Sequence, residues 1–231
     1  MKKLGLVGGM GPESTVPYYR EIVFGVQKRT GKEAFPELTI ESVDVYRVLG
    51  LCAEQRYDEL TAYLLGALNS LAGSGADFAA LSANTPHIVF DRLKEQSPLP
   101  LVSIVEAACR EAQRREYRRI GLIGTIFTMR ERFFKEPFLR CGITVVTPEE
   151  AEMEYINKKI ASELEMGIVK EETLAGFLKI LSRMKAEEKI EAIVLGCTEL
   201  PLLLNAQNCP VPCLDTMRIH IAELIDRIVE E

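Results

Sequence analysis

The chain has 231 residues, 28 Lys and Arg against 34 Asp and Glu for a net charge of −6, and 47% hydrophobic side chains. That is apolar surface for one sizeable domain or two small ones, which excludes a disordered tail or a mini-protein. Both charge signs are scattered, leaving no basic stripe for nucleic acid, and the apolar start Leu4-Gly5-Leu6-Val7 breaks at Gly8-Gly9, too early for a secretory leader or membrane span. A cytoplasmic protein with no nucleic-acid and no membrane partner is expected.

Short β-rich apolar runs alternate with longer amphipathic stretches, the pattern of an α/β protein with parallel sheets. The first half reads as strand Lys3–Val7, helix Thr15–Thr30, strand Leu38–Val43, helix Arg56–Ala72 and strands Phe78–Ser82 and Leu101–Ile104. Helix Ile104–Glu116, strand Ile120–Gly124, helix Thr128–Arg140, strand Ile143–Val146 and helices Glu150–Met166 and Glu172–Lys185 follow. Strands Ile190–Leu195 and Val211–Leu214 and helix Met217–Val229 complete the chain. Pro98-Leu99-Pro100 and Cys209-Pro210-Val211-Pro212 resist helix and mark crossings. They give an N-terminal domain of residues 1–98 plus 212–231 and a second of 99–211, each a parallel sheet flanked by helices.

The halves echo one another. Ala79-Ala80-Leu81-Ser82-Ala83-Asn84-Thr85-Pro86 is answered by Ala192-Ile193-Val194-Leu195-Gly196-Cys197-Thr198-Glu199-Leu200-Pro201. Each puts a small residue and a threonine at a strand's C-terminal end, where open α/β sheets take their ligands. Half-domains meeting face to face would bring positions 83 and 197 to opposite walls of one cleft.

Several motifs carry both a chemical and a plain structural meaning. Gly8-Gly9-Met10-Gly11-Pro12 can bring backbone N–H groups to a carboxylate, or serve as a tight strand-to-helix connection; Ser14 stands where a dinucleotide fingerprint needs glycine. Gly25 to Gly31-Lys32-Glu33 is one residue too long for a phosphate loop and reads as a surface helix end. Cys197 sits at the mouth of the sheet, near the start of a helix whose dipole would favour thiolate, or it is one more buried thiol. Thr125 and Thr128 offer hydroxyls to a carboxylate or cap a helix. Arg47, in a loop after the second strand, can take a distal carboxylate bidentately or remain solvated. His87 caps or packs beneath the loop after Thr85, and His220 is structural. The six cysteines are too sparse for a disulfide framework and are expected as free thiols. With two histidines and no C-x-x-C pair, no metal is expected.

Taken together, Gly8-Gly9-Met10-Gly11-Pro12-Glu13-Ser14-Thr15, Asn84-Thr85, Gly124-Thr125, Gly196-Cys197-Thr198-Glu199, Asp215-Thr216 and His220 resemble the aspartate/glutamate racemase family, over essentially the whole chain. The resemblance implies a cofactor-independent amino-acid racemase, without pyridoxal phosphate. It implies two similar α/β domains, a homodimer, and a small acidic amino acid or dicarboxylate bound between the domains. In the family two cysteines flank the α-carbon, one thiolate removing the proton and the opposite thiol returning one. Cys197 matches the second of these, while Met10, Asn84, Thr85 and Thr198 match positions that hold the α-carboxylate and amine. Ala83 stands at the first cysteine position, so racemisation is expected to be impaired or one-sided, with Ser82, Thr85 or water as the second acid. A single-cysteine decarboxylase or isomerase of dicarboxylates, and a binding-only relative, are the alternatives. Where the family can place a lysine ahead of the second cysteine, this chain has Glu165-Met166-Gly167, with Lys170 nearby.

Overall fold

Three runs are buried at every residue, Leu4–Gly8 (β1), Phe78–Leu81 (β3) and Ala192–Gly196 (β7), as strands must be when helices cover both faces of a parallel sheet. The computed structural model describes residues 1–31 and 33–230, with Pro12 and Glu13 as backbone only. Lys32, in the rejected phosphate-loop segment, lies outside the described residues.

Two four-stranded parallel sheets form. In the first, Leu38–Ser42 (β2) and Leu101–Val102 (β4) flank the pair above in the order β2-β1-β3-β4. The second joins Arg119–Gly124 (β5), Thr144–Val146 (β6) and Cys213–Asp215 (β8) to β7 in the order β6-β5-β7-β8. All eight predicted strands are present. The chain divides into two compact units, Met1–Ile104 with Met217–Glu231, and Val105–Thr216.

The divisions fall after residues 104 and 216, not after 98 and 211. The reason is pairing: β4 bonds to β3, so Pro98-Leu99-Pro100 lies inside the first unit, and β8 bonds to β7, so Cys209 to Pro212 lies inside the second. The crossings use the helices that follow each strand, Ile104–Arg114 (α5) and Thr216–Val229 (α10).

Helical period accounts for how each sheet is covered. Pro12–Thr30 (α1) buries Tyr18, Ile22 and Val26, and α10 buries Met217, Ile221, Leu224 and Ile228, against Leu4, Leu6, Phe78 and Ala80. On the opposite face Tyr57–Gly73 (α3) supplies Leu60, Leu64, Leu68 and Leu71 against Val7, Ala79 and Leu81. Truncating any of those four leucines to alanine costs about 2–5 kcal/mol. In the second unit Glu150–Ser162 (α8) and Glu171–Glu187 (α9) cover Ile123, Ile193 and Leu195. Buried Glu163 follows α8, bonded to Lys159, Thr173 and Lys170, which together hold its carboxyl down at about 2.

Four local expectations change. Arg47 lies not in a loop but on a helix, Val45–Ala53 (α2), capped by the Asp44 carboxylate accepting from Tyr46 N–H at 2.9 Å, and Cys52 on the same helix is buried. Phe90–Gln96 (α4) is an additional helix. The predicted helix Thr128–Arg140 is two, Ile126–Arg130 (α6) and Arg132–Arg140 (α7), parted by extended Glu131. Glu150–Met166 ends its α-helix at Ser162, and a 3₁₀ turn, Leu164–Met166, follows. Among the described residues no helix is long and apolar enough to cross a membrane.

Candidate active site

The two sheets place equivalent residues at their C-terminal ends. Val7 of β1 pairs with Leu81, so the loops carrying Met10 and Ala83, Asn84 and Thr85 leave neighbouring strands. Gly124 of β5 pairs with Gly196, so the loops carrying Thr125 and Thr128 and Cys197 and Thr198 do the same in the second sheet.

In the first unit the glycine loop has a backbone need. Gly9 adopts φ +81°, and a Cβ there would collide with the Val43 carbonyl oxygen. Its N–H donates to Thr15 Oγ1 (2.9 Å), whose hydroxyl donates to Gly11 O (2.9 Å), so the loop is braced by the first turn of α1. Met10 is buried beneath it.

Ala83 is held from below. His87 Nδ1–H donates to Ala83 O (2.9 Å), and Nε2 accepts Ile104 N–H (3.3 Å), a network that assigns a neutral ring. Burial lowers the His87 imidazole to about 4, against the bonds to the Ala83 and Asn84 backbone that raise it. Asn84 is buried and Thr85 half-buried, and Ser82 Oγ is buried with no hydrogen-bond partner among the described residues. His220 is structural: its nitrogens bond Tyr18 OH (2.8 Å) and Val102 O (3.2 Å).

Arg47 does not lie in a loop but in the first turn of α2, exposed, with its guanidinium 4.1 Å from the centre of the Tyr63 ring. Stacking fixes the plane of the group while leaving its N–H edges available.

The second unit holds the thiol. Thr125 caps α6, its hydroxyl accepting Thr128 N–H (3.4 Å), and Ile126 N–H donates to Asn157 Oδ1 (2.9 Å). Thr128 packs against the strand ends closely enough that a Cβ on Gly196 would stand 2.8 Å from its Cγ2. Cys197, 8% exposed, donates its S–H to Glu199 Oε2 (2.8 Å), and Thr198 Oγ1 donates to Glu199 Oε1 (2.9 Å). Burial first, and then the charge and hydrogen bond of Glu199, push the thiol well above its ordinary value.

The expected dipole-stabilised thiolate is thereby corrected. Only a 3₁₀ turn, Leu200–Leu202, follows Cys197, too short to present a helix dipole, and a carboxylate occupies the place of a positive end. Glu199 was not among the expected site residues; an acid two positions after the cysteine was the available signal. Lys170 is taken up by Glu163 (3.2 Å).

The model of the Asp/Glu/Hydantoin racemase family matches residues 7–224. The chain belongs to that family. A Yersinia pestis protein assigned as an Asp/Glu racemase superposes with a TM-score of 0.93 at 34% identity, and an aspartate racemase homologue from Pyrococcus horikoshii OT3 with 0.87 at 32%, both over 100% of each chain. The broad specificity amino-acid racemase RacX of Bacillus subtilis is 22% identical over 92% of this chain and 92% of its own. For an Asp/Glu racemase-family protein, the isomerase class follows from these relatives.

Proposed function

We propose that the chain is a cofactor-independent racemase of acidic amino acids in which Cys197 alone transfers the α-proton. The observation that carries this reading is the Cys197 S–H donated to Glu199 at a strand's C-terminal end, among Thr125, Thr128 and Thr198. Glu199 takes the thiol proton as the sulfur removes the α-proton. The thiol then returns a proton to the same face. Ala83 supplies neither acid nor base, so inversion depends on water, Ser82 or Thr85 delivering to the other face. Met10, Asn84, Thr85 and Thr198 hold the α-carboxylate and amine in this reading, and Arg47 takes the distal carboxylate.

A second reading is favoured by the same hydrogen bond. A cysteine kept as a thiol is poised to protonate an enediolate, as a one-cysteine decarboxylase of dicarboxylates requires. Solvent deuterium incorporation into L- and D-aspartate and glutamate, followed by proton NMR, separates the two. Exchange faster than inversion supports the racemase; no exchange, with carbon dioxide released from substituted malonates, replaces it with the decarboxylase.

A cytoplasmic homodimer completes the proposal. Val16, Tyr19 and Phe24 are more than half exposed on α1, with Phe35 edge-on to Phe24, an apolar patch suited to a second copy. Sedimentation should return twice the chain mass.

A further inference from the structure

Two glycines let the loop that carries Thr125 come close to Cys197. Gly124 and Gly196 pair at the ends of β5 and β7, and a Cβ on Gly124 would stand 3.0 Å from Gly196 O and 3.2 Å from Thr128 Cβ. Thr128 covers this junction, fully buried, and its hydroxyl has one partner among the described residues, Thr125 Oγ1 at 3.2 Å. The two hydroxyls therefore move with the first turn of α6 as one unit.

That turn does not hold itself. α6 has five residues, and its cap is a long bond, Thr128 N–H to Thr125 Oγ1 at 3.4 Å. Two tethers join it to α8. At its start Ile126 N–H donates to Asn157 Oδ1 at 2.9 Å, 31 residues away along the chain. At its end Arg130 pairs with Glu150 and with Glu154 (3.8 Å), all three exposed. Exposed ion pairs hold little, which leaves Asn157 as the firmer tether. Its support is rigid: Met153, Ile156 and Ile160, before and after Asn157 on α8, are buried in the core that also holds Ile123 and Cys197, and Arg183 of α9 grips Glu152 through Nε (2.8 Å) and Nη2 (2.5 Å). Only the oxygen of the half-buried Asn157 amide can accept an N–H, which fixes its orientation, and Nδ2 has no partner among the described residues.

We infer that Asn157 is a positioning residue, which by holding Ile126 N–H keeps the Thr125–Thr128 hydroxyl pair in register with Cys197. It acts through Thr125 and Thr128: with the α6 turn fixed to α8, a substrate carboxylate bound by the Thr125 hydroxyl presents its α-carbon to the thiol at a set angle. The inference rests on the racemase reading, in which Cys197 takes the α-proton. Proton transfer is sensitive to such placement, and a shift of about 1 Å costs up to about 10²-fold in rate.

The test removes the tether in the whole protein. In Asn157→Ala, kcat for α-deuterium exchange should fall about tenfold with circular dichroism unchanged. Asn157→Asp keeps an oxygen acceptor and gives up only Nδ2, so kcat should return to that of the parent, with KM for aspartate raised by the added charge. Arg130→Ala, which cuts the exposed tether, should leave kcat unchanged. In a Thr125→Val background Asn157→Ala should cost nothing further, because the group it positions is gone. An Asn157→Asp variant as slow as Asn157→Ala, an equal loss in Arg130→Ala, or losses that multiply in the double variant would overturn the inference. A parent that binds aspartate without exchanging its α-proton would sink the racemase reading alone, and the parent, the two single variants and the double are then compared by the Kd of aspartate from calorimetry. A Kd raised in Asn157→Ala, and no higher in the double variant than in Thr125→Val, supports Asn157. A Kd that Asn157→Ala leaves unchanged, or a parent that binds no aspartate, overturns it as well.

Discussion

The ends of β3 and β7 are the same device with different contents. Each lies beside a strand ending in glycine, each is buried, and each opens into a loop with threonine close behind. At the second sheet the loop carries a thiol that keeps its proton and donates it in a hydrogen bond to Glu199. At the first it carries Ala83, and the buried ring of His87 is spent on the Ala83 carbonyl beneath. A braced strand end is thus present twice, while a thiol stands at one of the two. Backbone support and chemistry are separable properties of the fold, and substitutions at the two ends should behave differently.

The largest difference is expected from Cys197→Ala. Removing the one thiol should cut α-deuterium exchange by about 10³-fold, within the 10²–10⁴ that positioned acid–base groups contribute, with the circular dichroism unchanged. The converse substitution, Ala83→Cys, supplies the missing group on a loop already braced by His87. Inversion, measured by polarimetry, should rise by about 10²-fold and approach the exchange rate. If Ala83→Cys leaves inversion unchanged while Cys197→Ala abolishes exchange, the two sheet ends do not serve one substrate.

How far these features could be read in advance depended on length and pattern. The eight strands were legible because apolar β-branched runs are unambiguous when helices follow them. The strand-end residues were legible because parallel sheets put ligands there. What failed was short or depended on contacts remote in sequence. α2 carries Gly50 and relies on Asp44 and on burying Val48, Leu51 and Cys52, so it looked like a loop. α4 is seven residues long, under two turns, and buries only Phe90 and Leu93. The break at Glu131 has neither glycine nor proline to announce it. The unit boundaries shifted because β4 and β8 are too short to signal where their pairing ends. The protonation of Cys197 was misjudged because it is set by a side chain, Glu199, and not by a helix end.

Next in size is the support beneath Ala83. His87 titrates near 4 in the folded chain against about 6.5 unfolded, so between these values the unfolded state binds more protons. Its contribution is complete above pH 6.5 and is lost as pH falls toward 4, about 3 kcal/mol in all. His87→Phe should lower stability at neutral pH by about 2–4 kcal/mol, since Ala83 O and Ile104 N lose their partner. It should also flatten that part of the pH dependence in urea titrations. A variant that keeps the slope would assign it to another group.

Smaller effects sharpen the contrast at the thiol. Glu199→Gln removes the charge that opposes ionisation, so thiolate absorbance at 240 nm should appear at lower pH than in the parent, though still above an ordinary cysteine because burial remains. Exchange should slow as well, since the acceptor for the thiol proton is gone.

The smallest change is expected at Arg47. Its stacking on Tyr63 orients a group that is otherwise exposed, and losing one solvated guanidinium–carboxylate contact is worth about 1 kcal/mol. Arg47→Ala should therefore raise KM for aspartate about fivefold and leave kcat nearly unchanged, because the distal carboxylate is bound alike in ground and transition states. Alanine as substrate has no distal carboxylate and should show no such rise. An equal rise for both substrates would make Arg47 a support for α2 through Tyr63, and the distal carboxylate would then have to be held by another residue.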